Sequence, residues 1–217
     1  MKKIKPPILE LERITEVKNP EVEIQESETV EERKIQNFEQ ENIVWCNIKF
    51  EKTLLNNVKI TNSKLERNTF TDVIFRNCNF SNTSFENTCF IRCQFENCKI
   101  TGCNFVEARL YKMAVIDTNA NYSNFSLASI EEVMFQDTTL RNSYFQENKL
   151  KNIYFEKADL MGAQFFKTSL KDIDLSESQI QGMAITMEDI KGATIDIVQA
   201  ADLLYLLGVK IKNEIGD

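Results

Sequence analysis

The chain has 217 residues, of which 42% are apolar and 27% charged, with no histidine, 6 glycines and 3 prolines. That length suits one domain or one elongated repeat array, and so little Gly and Pro excludes a collagenous or low-complexity chain. A formal net charge of −7 and a pI near 4.9 argue against direct nucleic-acid binding, which needs a basic footprint, and no run of about 18 apolar residues offers a membrane span.

Residues 1–42 hold 11 acidic and 7 basic residues and all three prolines, and are expected to form an N-terminal arm or cap. Met1–Pro7 is basic but has no apolar stretch behind it, so no signal peptide is expected; the 6 cysteines then read as reduced thiols of a cytoplasmic protein. Val30 and Ile35 weakly keep the spacing described next, so the first coil is expected near residue 28.

Residues 43–190 are periodic. All 30 residues numbered in multiples of five from Trp45 to Ile190 are apolar, and 13 of the 15 phenylalanines lie among them. Chance would give this on the order of 10⁻¹¹, so the period is structural. The residue two before each centre is usually small or apolar, as in Thr53, Ser63, Cys78, Thr83, Cys93, Ala108 and Ala163, while the other three carry nearly all the charge. Two side chains in five therefore face inward. A period of five fits neither a straight strand nor an α-helix; it requires a turn in every unit and coils that pair as parallel strands.

Runs such as Phe75-Arg-Asn-Cys-Asn-Phe80-Ser-Asn-Thr-Ser-Phe85 resemble the pentapeptide-repeat family. The resemblance implies an all-β fold, a right-handed quadrilateral parallel β-helix with four pentapeptides per coil. Residues 20 apart should then stack, giving a ladder through Phe85, Phe105, Phe125, Phe145 and Phe165. Ala120, the smallest centre, and Met113, a large inward neighbour, read either as volume compensation or as a kink that shapes the surface. Glu188 falls on an inward-type position.

Residues 191–217 read as a C-terminal helix and tail. Asp196 and Gln199 have capping-box spacing, and Gly208 ends a helix over Ile197–Leu207. Val198, Leu203, Leu204, Leu206 and Leu207 exceed what a narrow apolar stripe needs, so they are expected to supply both the end cap and a homodimer contact.

Without histidine, Ser-His-Asp and Cys-His catalysis and most zinc sites are excluded. Cys93, Cys98 and Cys103 are successive inward positions on three different walls, where packing explains them better than a metal. No P-loop, GxGxxG or HExxH occurs, and no enzyme activity, cofactor or metal is expected.

The wall centred on Leu55, Phe75, Phe95, Val115, Phe135, Phe155 and Leu175 differs from the others. Its exposed charges, Arg76, Glu96, Asp117, Asp137, Glu156, Lys157, Asp174 and Glu177, net −4, and its outer row includes Leu54, Ile74, Ile116, Met134 and Tyr154. An apolar row flanked by acids suggests an interface; equally, stacked outer rows of a β-helix are β-formers with solvated carboxylates. The residues expected to bind a partner are Glu96, Ile116, Asp117, Met134, Asp137, Tyr154, Glu156, Asp174 and Glu177.

Two segments are similar to a narrower family, the Qnr and MfpA-type quinolone-resistance proteins in their loop-free form. One is Ile116-Asp-Thr-Asn-Ala-Asn-Tyr122-Ser-Asn-Phe125-Ser126; the other is Ile190-Lys-Gly192-Ala-Thr-Ile-Asp196 with Gln199-Ala200 and Leu206-Leu207-Gly208-Val209. That resemblance implies an end-to-end dimer through the C-terminal helix and a DNA-mimicking rod that binds DNA gyrase and topoisomerase IV and protects them from fluoroquinolones. The other reading is a scaffolding module that binds a different protein partner.

Overall fold

A computed structural model describes residues 4–209. Parallel pairing in steps of 20 residues begins at Thr29–Glu31, which lies beside Lys49–Glu51, and runs through Val30, Phe50, Phe70, Phe90, Leu110, Ile130 and Leu150. The result is a β-solenoid of about seven turns. Its first coil already lies within residues 29–41, which pair with the coil that follows.

The turn required in every unit has a definite backbone form. Every fifth residue from Glu32 to Asp172 has positive φ, glycine or not, so each 20-residue coil has four corners and four walls. Most corner residues are Asn, Asp, Gly or long charged side chains. Asn, Asp and Gly tolerate the left-handed region best, since their short side chains relieve the clash that excludes most L-residues. Most corner amides are held by the next coil: Asn97 N–H donates to Ile116 O at 3.1 Å and Asp137 N–H to Glu156 O at 2.9 Å. The pairing of coils thus imposes the conformation.

Inside, the Phe ladder from Phe85 to Phe165 stacks at 4.8 to 5.1 Å between ring centroids. Phe75 and Phe95 stack likewise on the opposite wall at 4.2 Å. Rings of the two walls meet edge-on through the tube, Phe135 against Phe145 at 6.2 Å and 87°. All the five-spaced centres from Trp45 to Ile185 are buried except Leu150, which is half-buried. Met113 and Ala120 are both buried.

The small inward residues do more than fit. Thr83, Thr88, Thr138 and Thr168 donate from Oγ1 to the carbonyl of the large centre 23 residues earlier, at 2.6 to 3.1 Å. Asn68 and Asn148 do the same from Nδ2 to Trp45 O and Phe125 O. Cys78, Cys93 and Cys98 bond from Sγ to the equivalent carbonyls. Burial pushes the Cys93 and Cys103 thiols up to about 12, so they remain neutral packing groups.

Both described ends of the solenoid are covered. At the first coil, helix α1 (Pro20–Gln25) buries Ile24, which joins Val17 in the core. Ahead of it, Ile8 N–H donates to Asp72 Oδ1 at 2.9 Å. At the far end the fully buried centres run to Ile185, and Ile190, Ala193 and Ile195 still pack on the core, with Thr194 paired to Asp174. Thr186 caps a helical turn, α2 (Met187–Ile190), in which Glu188 is exposed and Ile190 only half-buried. The inward placement expected for Glu188 is thereby overturned, because a helical turn replaces the strand there.

Helix α3 (Ile197–Leu203) has the expected capping box, Asp196 accepting from Gln199 N–H and Gln199 Oε1 from Asp196 N–H. The helix is shorter than expected: Leu204–Leu207 tightens to 3₁₀ before Gly208 at φ 67°. Gln199 is buried and its Nε2 donates to Leu175 O and Ser178 O, so it seals carbonyls of the last coil.

Candidate binding surface

Several charges in this fold find an ion-pair partner one coil away. Lys52 bridges to Glu32, Lys59 to Glu39, Arg76 to Glu96, Arg92 to Asp72, Lys151 to Glu131 and Lys167 to Glu147, each across 20 residues. The Arg92–Asp72 pair is bidentate, at 2.7 and 2.6 Å, with Asp72 buried. Surface pairs of this kind contribute little stability. Their consequence is electrostatic, because they cancel much of the field along the walls.

The acidic wall is cancelled unevenly. Glu96 is held by Arg76 at 3.0 Å, so the first half of the wall is close to neutral. Asp117 and Asp137 lie further along, at the same corner of successive coils with φ 48° and 47°, and both are exposed. Among the described residues neither they nor Glu156 or Glu177 is ion-paired with a lysine or arginine. Glu156, Asp174 and Glu177 come together with Tyr154 and Asp172 around a shallow groove of about 340 Å³, where the strand Lys149–Glu156 gives way to the turns of the last coil. The sequence-predicted acids therefore form a cluster in the C-terminal half of the wall, and Asp172 belongs with them.

The apolar row is less exposed than expected. Leu54 and Met134 are buried, at 7% and 9%, while Ile74, Ile116 and Tyr154 are half-buried. Met134 sits in register between Ala114 and Tyr154, so the neighbouring coils cover its sides. Its role as an exposed contact is corrected by that stacking; the row is a half-buried floor between carboxylates.

The C-terminal leucines divide. Leu203 and Leu206 pack on the core as the cap, and Leu204 is half-buried. Leu207 and Val198 are exposed, at 59% and 71%, beside Ile197 and Tyr205. Ile197 and Tyr205 lay outside the sequence expectation; Tyr205 is seven residues after Val198, a spacing that would have indicated it.

A model described as a pentapeptide repeat region matches residues 88–165, and one of nine pentapeptide-repeat copies matches residues 50–115, together more than half of the chain. No curated protein matches the sequence. Among solved structures, a trypsin-treated variant of QnrB1, a plasmid-mediated fluoroquinolone resistance protein, is similar at 20% identity and a TM-score of 0.52, over 83% of this chain and 90% of that one. A second such variant has 18% identity and a TM-score of 0.45, over 92% and 96%. HetL, a pentapeptide repeat protein involved in heterocyst differentiation regulation from the cyanobacterium Nostoc sp. strain PCC 7120, has 12% identity and a TM-score of 0.41, over 78% and 92%. Likeness at these identities is a likeness of fold.

Proposed function

This chain belongs to the pentapeptide-repeat family, and from that premise we propose that it is a non-catalytic DNA-mimicking protein that binds DNA gyrase or topoisomerase IV and lessens their sensitivity to fluoroquinolones. The observation that carries the reading is that Asp117, Asp137, Glu156 and Glu177, in successive coils of one wall with Lys157 among them, have no ion-pair partner among the described residues. A cleft built to receive DNA is basic, so it attracts a rod that presents carboxylates at the coil spacing of about 4.8 Å. The Qnr-like segments around Tyr122 and Gly192 point the same way. In this reading Val198, Leu207 and their neighbours on α3 join two copies end to end, doubling the length of the acidic strip.

A second reading, a scaffolding module for another protein partner, is favoured by the ion pairs between coils that pair off charges on the other walls. Gyrase supercoiling in the presence of ciprofloxacin, with and without this protein, separates the two. Restored or altered supercoiling supports the topoisomerase reading. No change in activity or drug sensitivity, with no gyrase binding, leaves the scaffold.

A further inference from the structure

The corners of the coil hold a second signal. Among the non-glycine corner residues with positive φ, two are large and apolar: Tyr122 at 61° and Leu127 at 62°. They are successive corners flanking Phe125, on the wall opposite the acidic one. Their amides are fixed to the next coil, at 2.9 Å to Arg141 O and 2.8 Å to Gln146 O, so the fold imposes the left-handed backbone whatever the side chain. Asn occupies the same corner column in the coils at Asn82 and Asn142 and suits that backbone better. Neither side chain is repaid by burial, since Tyr122 is 59% and Leu127 50% exposed. Unfavourable conformation without a packing return is a mark of functional surface.

Two more exposed apolar residues extend the patch along the same wall. Tyr144 stands in register with Asn124 one coil on, and Phe166 follows in the next. The surroundings are mostly Asn, Gln, Ser and Gly; Arg141 beside Tyr122 is paired with Asp159 at 2.5 Å and the corner carboxylate of Glu147 with Lys167 at 3.0 Å, while Glu107 at the rim has no ion pair among the described residues. The rod is thus two-faced: carboxylates without ion pairs on one wall and, on the opposite one, an aromatic strip whose flanking charges are largely paired.

We propose that this strip is a second docking face, gripped by an apolar, uncharged surface of the same partner whose basic surface meets the acidic wall, so that one cleft holds the rod from both sides. The proposal rests on the topoisomerase reading above. Three coil spacings by one wall give an area of roughly 150–300 Å², well under the ~800 Å² per partner of a standard interface. That is too little to hold a second copy alone and suits one side of a two-sided grip. Depletion of charge with exposed Tyr and Phe is the composition of an interface core.

The test is the double variant Tyr122→Asn with Leu127→Asn, assayed for gyrase binding and for supercoiling with ciprofloxacin. Its melting temperature should stay level or rise, because Asn fits the corner, while gyrase affinity should fall about tenfold. That loss should persist as salt is raised, whereas the effect of reversing Asp117 and Asp137 should shrink. Wild-type binding with an undiminished double variant overturns the inference and leaves the topoisomerase reading standing. A fall in melting temperature matching the loss of binding makes the residues structural and also overturns it. If light scattering shows the double variant losing a dimer that wild type forms, the occupant is a second copy and the shared-cleft proposal is wrong. No binding by wild type overturns the topoisomerase reading itself, and this inference with it.

Discussion

At the scale of the residue, the inside of this rod leaves little freedom. Phe105 is buried and stacks between Phe85 and Phe125 at 5.1 and 4.9 Å. Phe105→Asp removes that ring and introduces a carboxylate with no partner, and each change alone costs several kcal/mol. We expect no cooperative unfolding transition by circular dichroism; a melting curve like wild type would refute the register. The threonine positions make a finer test. Thr88 Oγ1 donates to Leu65 O at 2.9 Å inside the tube. Thr88→Val keeps the shape and strands that carbonyl, so urea denaturation should show a loss of about 1–3 kcal/mol. An unchanged midpoint would mean that the hydroxyl serves only to fill space.

At the scale of the element, the C-terminal helix has two separable tasks. Gln199 closes the last coil with its two carbonyl bonds and completes the capping box. Gln199→Ala should cost about 1–3 kcal/mol and speed amide exchange first in the coil around Leu175 and Ser178. Uniform acceleration along the rod would contradict a local cap. Val198 and Leu207 stand outside that cap and are exposed. Val198→Glu with Leu207→Glu should leave the melting temperature of the solenoid unchanged and convert a dimer to a monomer in light scattering. A wild-type protein that is monomeric at high micromolar concentration would reject the dimer contact.

At the scale of the molecule, the decisive quantity is where charge survives its neighbours. Duplex DNA carries one charge per about 1.7 Å of axis, and a wall with one carboxylate per coil of about 4.8 Å presents roughly a third of that density. Attraction to a basic cleft should therefore depend on the few uncancelled acids and weaken at high salt. Reversing Asp117 and Asp137 to Lys should reduce gyrase binding with only a small loss of stability, since Lys52, Lys112 and Lys157 already occupy corners of similar φ. Reversing Glu131 and Glu132, the first of which is already paired with Lys151, should do less. Equal effects from the two pairs would reject the chosen wall.

The periodic residues by themselves determined the β-helix, its inward positions, its 20-residue stacking and the capping box at Asp196. Each depends on local spacing repeated many times, and a single slip of register would turn every phenylalanine toward water. What only the tertiary structure decided depends on neighbours one coil away. The fate of Glu96 is set by Arg76, 20 residues earlier, and the burial of Met134 by Ala114 and Tyr154 on either side. The helical turn at Met187–Ile190 and the split between capping and exposed leucines follow from how the last coil needs its carbonyls covered. In the sequence Tyr122 stood only within the Qnr-like segment, and Leu127 carried no signal. Their cost became visible only with the left-handed corners, because φ is set by the pairing of coils and not by the residues that occupy them.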